Sequence, residues 1–592
     1  MPINNFREDE TTKHVLKIVT IKRLFSYMRN YKAQIIKVLG LMLVILSVTA
    51  ANPLLIKMSI DDYIVAKNFK GLIMVAGIAV VINLIAALCI RKRTQIMGQV
   101  SNKVLMEIRQ ELYEHIQKLS FNFFDHRPVG KILARVIGDV DSLKDVLNNS
   151  VITLLPDFAT VIVVFIIMLI LHAQLALTAL TLLPFLIVGM WFVEVRAHKR
   201  WQAMRKKNAN MNAFTHEAFS GIRVVQSFTA EEQTSKTFHT LLADIKHGFM
   251  HAVKLNDMFW PMVEMSWGVG TVLVFYLGVS LLDTGEITVG LLVAFISYIS
   301  MFWNPIMNLS NFYNQLITNI AGAERIFEIL DIEPDLVDAK EAVWLPTIQG
   351  DVRFDNVTFA YDQEVEVLKD LSFHVKEGET IALVGPTGGG KSTIVNLICR
   401  FYDIDSGQIF IDGYDIKQVT VESLRSQMGI MTQDTFLFSG SLRENIRYGK
   451  LDATDEEVIE AAKAVHAHAF IMKLEEGYDT VINEKGSKLS VGQRQLIAFA
   501  RTMIAKPKIL ILDEATSSID TTTERLVQKG IESLLKGRTS FIIAHRLSTI
   551  QKADRIFVIN EQGIKESGSH EQLLKEKGHY YDLYMAQFSA FA

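Results

Sequence analysis

The chain has 592 residues, of which 49% are apolar and 21% are charged, and its mean hydropathy is +0.23. This balance argues against a protein made only of membrane helices and favours apolar membrane spans joined to a water-exposed part. The 61 basic and 64 acidic side chains leave a formal net charge of −3, which argues against a protein whose main task is to coat nucleic acid.

Residues 1–32 lack the apolar core of a signal peptide, so no cleavable signal peptide is expected there. The loop charges described below predict that this N-terminal segment is cytoplasmic. Residues 19–32 are basic and amphipathic, and we expect them to form an elbow helix at the membrane surface. Apolar runs of about 20 residues, the length that crosses the hydrocarbon layer as a helix, then follow. They predict six membrane spans within a transmembrane domain of residues 33–330, at 35–56, 71–90, 151–171, 173–193, 258–282 and 287–307.

The charges between these runs predict how the chain is oriented. Residues 91–150 and 194–257 are rich in Lys and Arg, whereas the short connections around His172 and at 283–286 have none. Because cytoplasmic loops carry the excess of basic residues, both long stretches and both chain termini are expected in the cytoplasm. Each stretch is predicted to be a pair of long helices joined by a turn; a loose basic loop is the alternative.

The sequence changes character after the last apolar run. All six tryptophans precede residue 345, and after Pro346 short β-branched runs alternate with helical patterns. Such alternation is typical of a parallel α/β sheet. We therefore predict a linker at 331–348 and an α/β domain at 349–592, which follows the α-helical transmembrane domain.

A phosphate-binding motif opens the α/β domain. The run 381–384 is predicted to be a buried strand, and it leads into GPTGGGKST at 385–393 and then a helical pattern. Glycines allow backbone N–H groups to surround phosphates, and the helix N-terminus adds positive potential. The motif predicts an ATP and Mg²⁺ site, with Lys391 on the β- and γ-phosphates and Ser392 on the metal. The expected nucleotide contacts are Gly385, Thr387, Gly388, Gly390, Lys391, Ser392 and Thr393.

A second acidic motif follows the P-loop. Residues 508–512 are predicted to be an apolar strand that ends in Asp513 and Glu514. A carboxylate at Asp513 would hold Mg²⁺, and Glu514 would polarise the attacking water as a general base. Together with the P-loop, this pair predicts ATP hydrolysis.

At this point the chain resembles a half-transporter of the ATP-binding cassette (ABC) exporters, which have six membrane helices followed by one nucleotide-binding domain. The most specific mark is the sequence LSVGQ at 489–493, which is similar to the family signature LSGGQ. The resemblance implies that Ser490, Gly492 and Gln493 face the γ-phosphate bound by a partner subunit. Without the resemblance, an ordinary capped helix start is the alternative.

Further positions follow the order of the family's motifs. Tyr361 is similar to the aromatic residue that stacks on adenine, and Gln433 to the residue that contacts Mg²⁺ beside the membrane helices. Glu484 resembles the loop that couples the domain to transport, Asp520 the loop that links the two ATP sites, and His545 the switch histidine near the γ-phosphate. The two long basic stretches resemble the family's coupling loops at Phe123, Asp125, Gly130, Arg135 and Asp139, and at Glu217, Gly221, Arg223 and Phe228.

The signature departs from the family pattern at Val491, where glycine is usual. The resemblance implies that a subunit with an altered signature and an intact Glu514 is the catalytic-glutamate-bearing half of a bacterial heterodimeric multidrug exporter. We therefore favour a heterodimer over a homodimer. The expected location is the bacterial cell membrane, as a multi-pass protein.

The membrane spans offer a candidate substrate cavity. Trp260, Glu264 and Trp267 share one helical face at i, i+4 and i+7, and Asn304 and Asn308 follow in the sixth span. Aromatic rings and one carboxylate suit lipophilic cations, although ordinary helix packing is the alternative. The runner-up functions are export of lipids or peptides and, in a different class, an ATP-gated channel or regulator.

Overall fold

The computed structural model of the chain describes residues 18–361, 365–432, 435–483, 489–513, 521–544 and 547–588. Within these ranges only the backbone is described at 149, 150, 194, 198, 256, 259, 306, 307, 309–318, 521, 522 and 548. The chain divides into two compact units, which we call the helical unit (residues 1–117 and 130–331) and the sheet unit (residues 118–129 and 332–592). The short segment 118–129 thus belongs to the sheet unit, although it is embedded in the helical part of the sequence.

Residues 18–330 are almost entirely helical, as expected for segments whose backbone groups must be satisfied in lipid. Short 3₁₀ or π turns lie at Met28–Tyr31, Ser59–Ile64, Ala134–Asp139 and Ser150–Leu154. The helices are α1 (Ile18–Tyr27), α2 (Lys32–Met58), α3 (Phe69–Lys118), α4 (Phe121–Asp125), α5 (Val129–Leu133), α6 (Val140–Asn149), α7 (Leu155–Leu171), α8 (Ala173–Ala179), α9 (Leu183–Ser220), α10 (Ile222–Ser227), α11 (Glu231–Asn256), α12 (Phe259–Asp283) and α13 (Val289–Leu330).

Five helical stretches of the described chain are long and apolar enough to cross a membrane, and they contain the first five predicted runs. They are Ile18–Ile64, Phe69–Lys118, Val129–Leu171, Ala173–Ser220 and Glu231–Asp283. The sixth run coincides with the shorter apolar section Val289–Pro305 of α13, so the count of six spans stays a prediction. Large apolar side chains such as Ile73, Val80 and Leu84 are exposed along α3. Such surfaces suit lipid as the surrounding solvent.

The prediction of long helical pairs is confirmed for the second basic stretch. The helices α9 and α11 run antiparallel, since Arg200 donates to the carbonyl of His251 at 2.9 Å and Lys207 to that of Asp244 at 3.2 Å. The short helix α10 lies at the turn. In the first stretch α3 continues to Lys118, which gives this helix 50 residues and a length of about 75 Å. Loose loops are therefore excluded for these described segments.

The sheet unit is built on a central six-stranded sheet with the order β12-β11-β3-β10-β9-β6, beside a four-stranded antiparallel sheet, β2-β1-β4-β5, and a two-stranded ribbon, β7-β8. The strands are β1 (Val352–Ala360), β2 (Glu366–Val375), β3 (Thr380–Val384), β4 (Ser406–Ile411), β5 (Tyr414–Asp415), β6 (Met428–Met431), β7 (Gly440–Ser441), β8 (Val481–Ile482), β9 (Ile509–Asp513), β10 (Thr539–Ile543), β11 (Arg555–Asn560) and β12 (Gly563–Gly568). The helices are α14 (Lys391–Ile398), α15 (Val421–Arg425), α16 (Leu442–Arg447), α17 (Asp455–Ala464), α18 (His468–Ile471), α19 (Val491–Ile504), α20 (Thr521–Leu535), α21 (Leu547–Ile550), α22 (His570–Glu576) and α23 (His579–Phe588).

The central sheet separates two hydrophobic cores. Along β3, Ala382 and Val384 join one core, whereas Ile381 and Leu383 join the other. The same alternation divides β9 between its even and odd residues. Because both faces are covered, these strands are apolar throughout, as parallel strands in α/β proteins are. The fold class predicted from the sequence, a helical transmembrane domain followed by an α/β P-loop ATPase domain, is confirmed.

Candidate nucleotide site and membrane cavity

The P-loop connects the buried strand β3 to the helix α14 through backbone conformations that require glycine. Gly385, Gly388 and Gly390 have φ angles of 146°, 83° and 104°. A Cβ atom at Gly385 would also lie only 2.1 Å from the carbonyl oxygen of Ile559. Gly389 has a negative φ, but a Cβ there would lie 3.1 Å from two carbonyl oxygens. At each of the three consecutive glycines, a positive φ angle or a close carbonyl oxygen therefore explains why a residue with a side chain would not fit.

Lys391 lies inside this loop. Its Nζ donates hydrogen bonds to the carbonyl oxygens of Gly385 and Pro386, each at 2.8 Å. Burial lowers the pKa of Lys391, while the charge of Asp513 acts in the opposite direction. These two carbonyl oxygens hold the ammonium group within the loop. Because the same loop would surround the phosphates, the amine is already positioned for an anion.

The ends of neighbouring parallel strands form the other side of the site. In the register of the sheet, Ile543 of β10 pairs with both Leu383 of β3 and Asp513 of β9, and Met431 of β6 pairs with Leu512. Asp513 thus lies at the carboxyl edge of the sheet, and the strand β10 lies between it and the P-loop strand β3. Ligands of open α/β sheets bind at this edge.

Several predicted residues follow these strands but lie outside the described residues. Glu514 and Asp520 follow β9, His545 follows β10, and Gln433 follows β6; Glu484 follows β8. Their roles in hydrolysis and coupling therefore remain predictions. The described strands establish only that β3, β6, β9 and β10 are neighbours whose carboxyl ends share one edge.

Tyr361 lies against the first turns of α14. Its hydroxyl donates to Thr393 Oγ1 at 3.2 Å and accepts a hydrogen bond from Asn396 Nδ2 at 3.3 Å. The ring packs edge-on against Phe359 and Tyr402, with centroid distances of 4.9 and 5.0 Å, and the residue is 38% exposed. An exposed aromatic ring beside a P-loop is suited to stack on a base. Sequence reasoning missed Asn396 and Tyr402, because neither belongs to the motif.

The oxygen atoms expected to bind Mg²⁺ fit that ion. Ser392 is exposed at the start of α14, and Asp513 offers a carboxylate at the end of β9. The described residues contain no group of three or more His, Cys, Asp or Glu side chains that could hold a metal by themselves. Mg²⁺ in nucleotide sites is bound by one or two protein oxygens together with phosphates and water, which this donor set permits.

The signature segment forms a capped helix start. The Ser490 hydroxyl accepts from the Gln493 N–H at 3.2 Å, and the Gln493 side chain accepts from the Ser490 N–H at 3.0 Å, which is a complete capping box for α19. The hydroxyl proton of Ser490 is still available as a donor to an anion. Gly492 is buried, whereas Val491 is 38% exposed. The branched side chain of Val491 is thus presented on the surface of this unit.

Four of the five residues predicted for a substrate cavity line one cavity of about 320 Å³ between α12 and α13. Trp260, Glu264, Trp267 and Asn304 share its wall with Val263, Ser300 and Trp303, which sequence reasoning missed. Trp260 Nε1 donates to Glu264 Oε2 at 3.0 Å, and Trp267 Nε1 donates to Ser300 Oγ at 3.2 Å. Asn308 is not among the residues of this wall, and it lies near Asp157 of α7.

The residues predicted for the first coupling loop divide into two groups. Arg325 of α13 binds Asp139 with both Nε at 3.0 Å and a terminal nitrogen at 2.7 Å, and Arg135 binds the same carboxylate at 2.9 Å. This three-residue ion cluster lies wholly in the helical unit and fixes the loop to α13. Phe123 and Asp125 belong to α4 in the sheet unit.

Comparisons with known proteins agree with this geometry. Two family patterns match: the ABC transporter transmembrane region over residues 35–306 and the ABC transporter over residues 368–517. The uncharacterized ABC transporter ATP-binding protein YknV of Bacillus subtilis (strain 168) is 41% identical over 99% of this chain and 97% of its own length. The ATP-dependent lipid A-core flippase of Syntrophus aciditrophicus (strain SB) is 38% identical over 96% of this chain and 94% of its own.

Two further similarities extend over nearly the whole chain. A putative multidrug export ATP-binding/permease protein of Staphylococcus aureus (strain NCTC 8325 / PS 47) is 38% identical over 96% of this chain and 100% of its own. The solved structure of a bacterial Atm1-family ABC exporter with ATP bound superposes with a TM-score of 0.79 at 28% identity, covering 95% of this chain and 99% of that one.

Proposed function

This chain belongs to the ABC transporter family, as an exporter half with an ATPase domain coupled to transport, and from that premise we propose that it exports lipophilic, cationic drugs by alternating access. The observation that supports this substrate class is the cavity between α12 and α13. Its wall combines three indole rings with one carboxylate. A flat cation is attracted by indole faces and by a carboxylate at once.

The cavity has the size and chemistry of a small-molecule site. Its volume of about 320 Å³ is at the lower end of the range for drug-sized pockets. Glu264 is exposed, and its hydrogen bond from Trp260 holds the carboxylate against the ring. Ionisable groups within membrane spans generally mark substrate pathways. We place the cation beside Glu264, with its apolar body between Trp260 and Trp267.

The ATPase cycle is assigned to the edge of the central sheet. Lys391 and the backbone of the P-loop hold the phosphates, and Tyr361 stacks on the adenine. Ser392 and Asp513 would hold Mg²⁺, which would supply positive charge to the phosphates when bound. Glu514 polarises the attacking water, and His545 and Gln433 orient the γ-phosphate side of the site. Asp520 links the two ATP sites, and Glu484 couples the domain to transport.

A second half-transporter would complete the dimeric transporter. The turn between α9 and α11 exposes Ile222 (40%), Val224 (61%) and Phe228 (77%). Contiguous apolar side chains of this kind are typical of interaction surfaces. We propose that they press on the nucleotide-binding domain of the partner, so that closure of two ATP-bound domains moves the membrane helices.

We propose a heterodimer, in which Lys391, Asp513 and Glu514 form the competent ATP site together with a partner's LSGGQ signature. The surface-exposed Val491 would then face the partner's weaker site. Expression of the chain alone tests this proposal. Robust transport-coupled ATPase activity of a homodimer would overturn it.

The basic cytoplasmic stretches support a location in the bacterial cell membrane with both termini inside. Inside-out vesicles provide the functional test, because they turn export into measurable uptake. ATP-dependent accumulation of a cationic dye against its gradient is expected. Equilibration without accumulation would instead indicate an ATP-gated channel, since only a pump moves its substrate uphill.

Lipid export is the second candidate, and the 38% identity to a lipid A-core flippase is the observation that favours it. Vesicles with fluorescent phospholipid in one leaflet distinguish the two. ATP-dependent flipping of the lipid without dye accumulation would favour the lipid exporter.

A further inference from the structure

The short helix α4 belongs to the sheet unit, and its first residues pack against other residues of that unit. The rings of Phe121 and Phe401 lie with their centroids 4.5 Å apart. Asp335 accepts hydrogen bonds from Ser120 Oγ at 2.7 Å and from Asn122 Nδ2 at 3.4 Å. These contacts hold the N-terminal end of α4 and leave its C-terminal end to a separate contact.

That separate contact is made by Tyr402. Its hydroxyl donates to the carboxylate of Asp125, the last residue of α4. Burial raises the pKa of Tyr402 well above its usual value, and the hydrogen bond to Asp125 raises it further. The hydroxyl is therefore protonated at any physiological pH and is always available as a donor.

The same side chain touches the candidate adenine-binding residue. The Tyr402 ring stands at 90° to the ring of Tyr361, with the centroids 5.0 Å apart. Both tyrosines line one cavity of about 190 Å³ together with Ser120, which precedes α4, and Asn122 of α4. Since the distances are those of direct contact, one ring lies between the base site and the helix.

We propose that Tyr402 is a positioning residue that couples the seating of the adenine base on Tyr361 to the C-terminal end of α4 through Asp125. A base stacked on Tyr361 restricts that ring, the restricted ring holds Tyr402 edge-on, and its hydroxyl then holds Asp125. The inference rests on the proposed function for the nucleotide role of Tyr361. It adds that α4 responds to the adenine base in the ATP site, and not only to the phosphates.

Hydrogen exchange of the backbone amides at 121–126 tests the coupling in the purified full-length chain in nanodiscs. Two probes are used at saturation with Mg²⁺: a non-hydrolysable ATP analogue, and inorganic tripolyphosphate, which has no base. The analogue is expected to slow exchange in α4 by about tenfold, the range of one charge-assisted hydrogen bond. Tripolyphosphate is expected to leave exchange there within about twofold.

Single substitutions then identify the atoms involved. Tyr402→Phe removes only the hydroxyl and is expected to abolish most of the analogue-induced protection at saturating occupancy. Asp125→Asn keeps an acceptor oxygen and should retain the protection, whereas Asp125→Leu should lose it. Tyr414→Phe is the matched control, because Tyr414 is an exposed tyrosine on β5.

The outcomes separate the coupling from a merely structural contact. Equal protection by tripolyphosphate and the analogue, or full protection in Tyr402→Phe, would overturn the proposal. A structural contact alone would raise exchange in Asp125→Leu equally with and without nucleotide. Dye accumulation in vesicles is measured in parallel. Its absence in the unmodified protein would count against the proposed substrate, while the exchange result would stand.

Discussion

At the scale of single residues, charge is placed where an anion or a cation can use it. Lys391 is buried in the P-loop and its pKa is lowered by burial, yet its ammonium group is held by two carbonyl oxygens. Glu264 is held by the Trp260 N–H and remains exposed to a cavity. Two carbonyl oxygens orient Lys391 and an indole N–H orients Glu264, so each charge is already directed before a ligand of opposite charge binds.

Replacement of Lys391 tests the phosphate site. Lys391→Met keeps the length of the side chain but removes the charge, and it is expected to lower ATP hydrolysis by about 100-fold or more, because a preorganised charge at the phosphates is lost. The rise in Tm on adding MgATP should disappear as well. Lys536→Met, at an exposed lysine, is the control. Unchanged hydrolysis in Lys391→Met would contradict the assignment.

Replacement of Glu264 tests the cation site. Glu264→Gln retains an oxygen that can accept from Trp260, so the packing should persist while the charge is lost. The KM for export of a cationic dye is expected to rise about fivefold to tenfold, whereas that for a neutral dye of similar size changes little. The matched control is Glu286→Gln, an exposed carboxylate on the connection between α12 and α13. An equal rise in KM for both dyes would show that the charge of Glu264 does not select cations.

At the scale of elements, the helix α19 combines a structural cap with a candidate anion contact. The helix α22 has the same capping box, in which Ser569 and Gln572 replace Ser490 and Gln493. The two helices therefore offer an internal comparison. A capping role predicts the same effect at both serines, and a phosphate contact predicts an additional effect at Ser490 alone.

Alanine substitutions make this comparison measurable. Ser490→Ala and Ser569→Ala are each expected to lower stability by about 1 kcal/mol, since each removes one cap. In the chain expressed alone with Val491→Gly, where the restored signature completes an active site, only Ser490→Ala should also lower ATPase activity, by at least about tenfold. Thermal unfolding and ATPase assays on the same preparations provide the two readouts. A similar loss of activity in both variants would reduce Ser490 to a cap.

At the scale of the whole molecule, the two units differ in the surface that each exposes. Apolar side chains cover the outside of the helical unit, whereas the sheet unit has two buried cores on either side of its central sheet. The segment 118–129 leaves the sequence of the first unit to pack with the second. This exchange gives the ATPase domain a piece of the transmembrane chain as part of its own structure.

Whether the chain forms a homodimer or a heterodimer is also a property of the whole molecule. Val491→Gly converts the signature to LSGGQ, and in the chain expressed alone it is expected to raise ATPase activity by at least about tenfold, because the backbone N–H groups at the start of α19 become accessible to a phosphate. Val421→Gly is the matched control. Val421 is also the first residue of a helix, and it follows the cap residue Thr420. No gain in Val491→Gly would favour a homodimer whose signature already functions.

The sequence by itself determined the features that depend on neighbours along the chain. Five apolar runs, the P-loop glycines and the capped start of α19 follow from length, φ requirements and local hydrogen bonds, and the structure has them where the patterns indicate. Only the tertiary structure decided which residues meet across long separations. It placed Asp513 with the strand β10 between it and the P-loop strand, left Asn308 off the cavity wall, and set Tyr402 between Tyr361 and α4. The physical reason is that periodicity reports which face of a segment is apolar, whereas strand order and helix docking depend on the packing of all segments together.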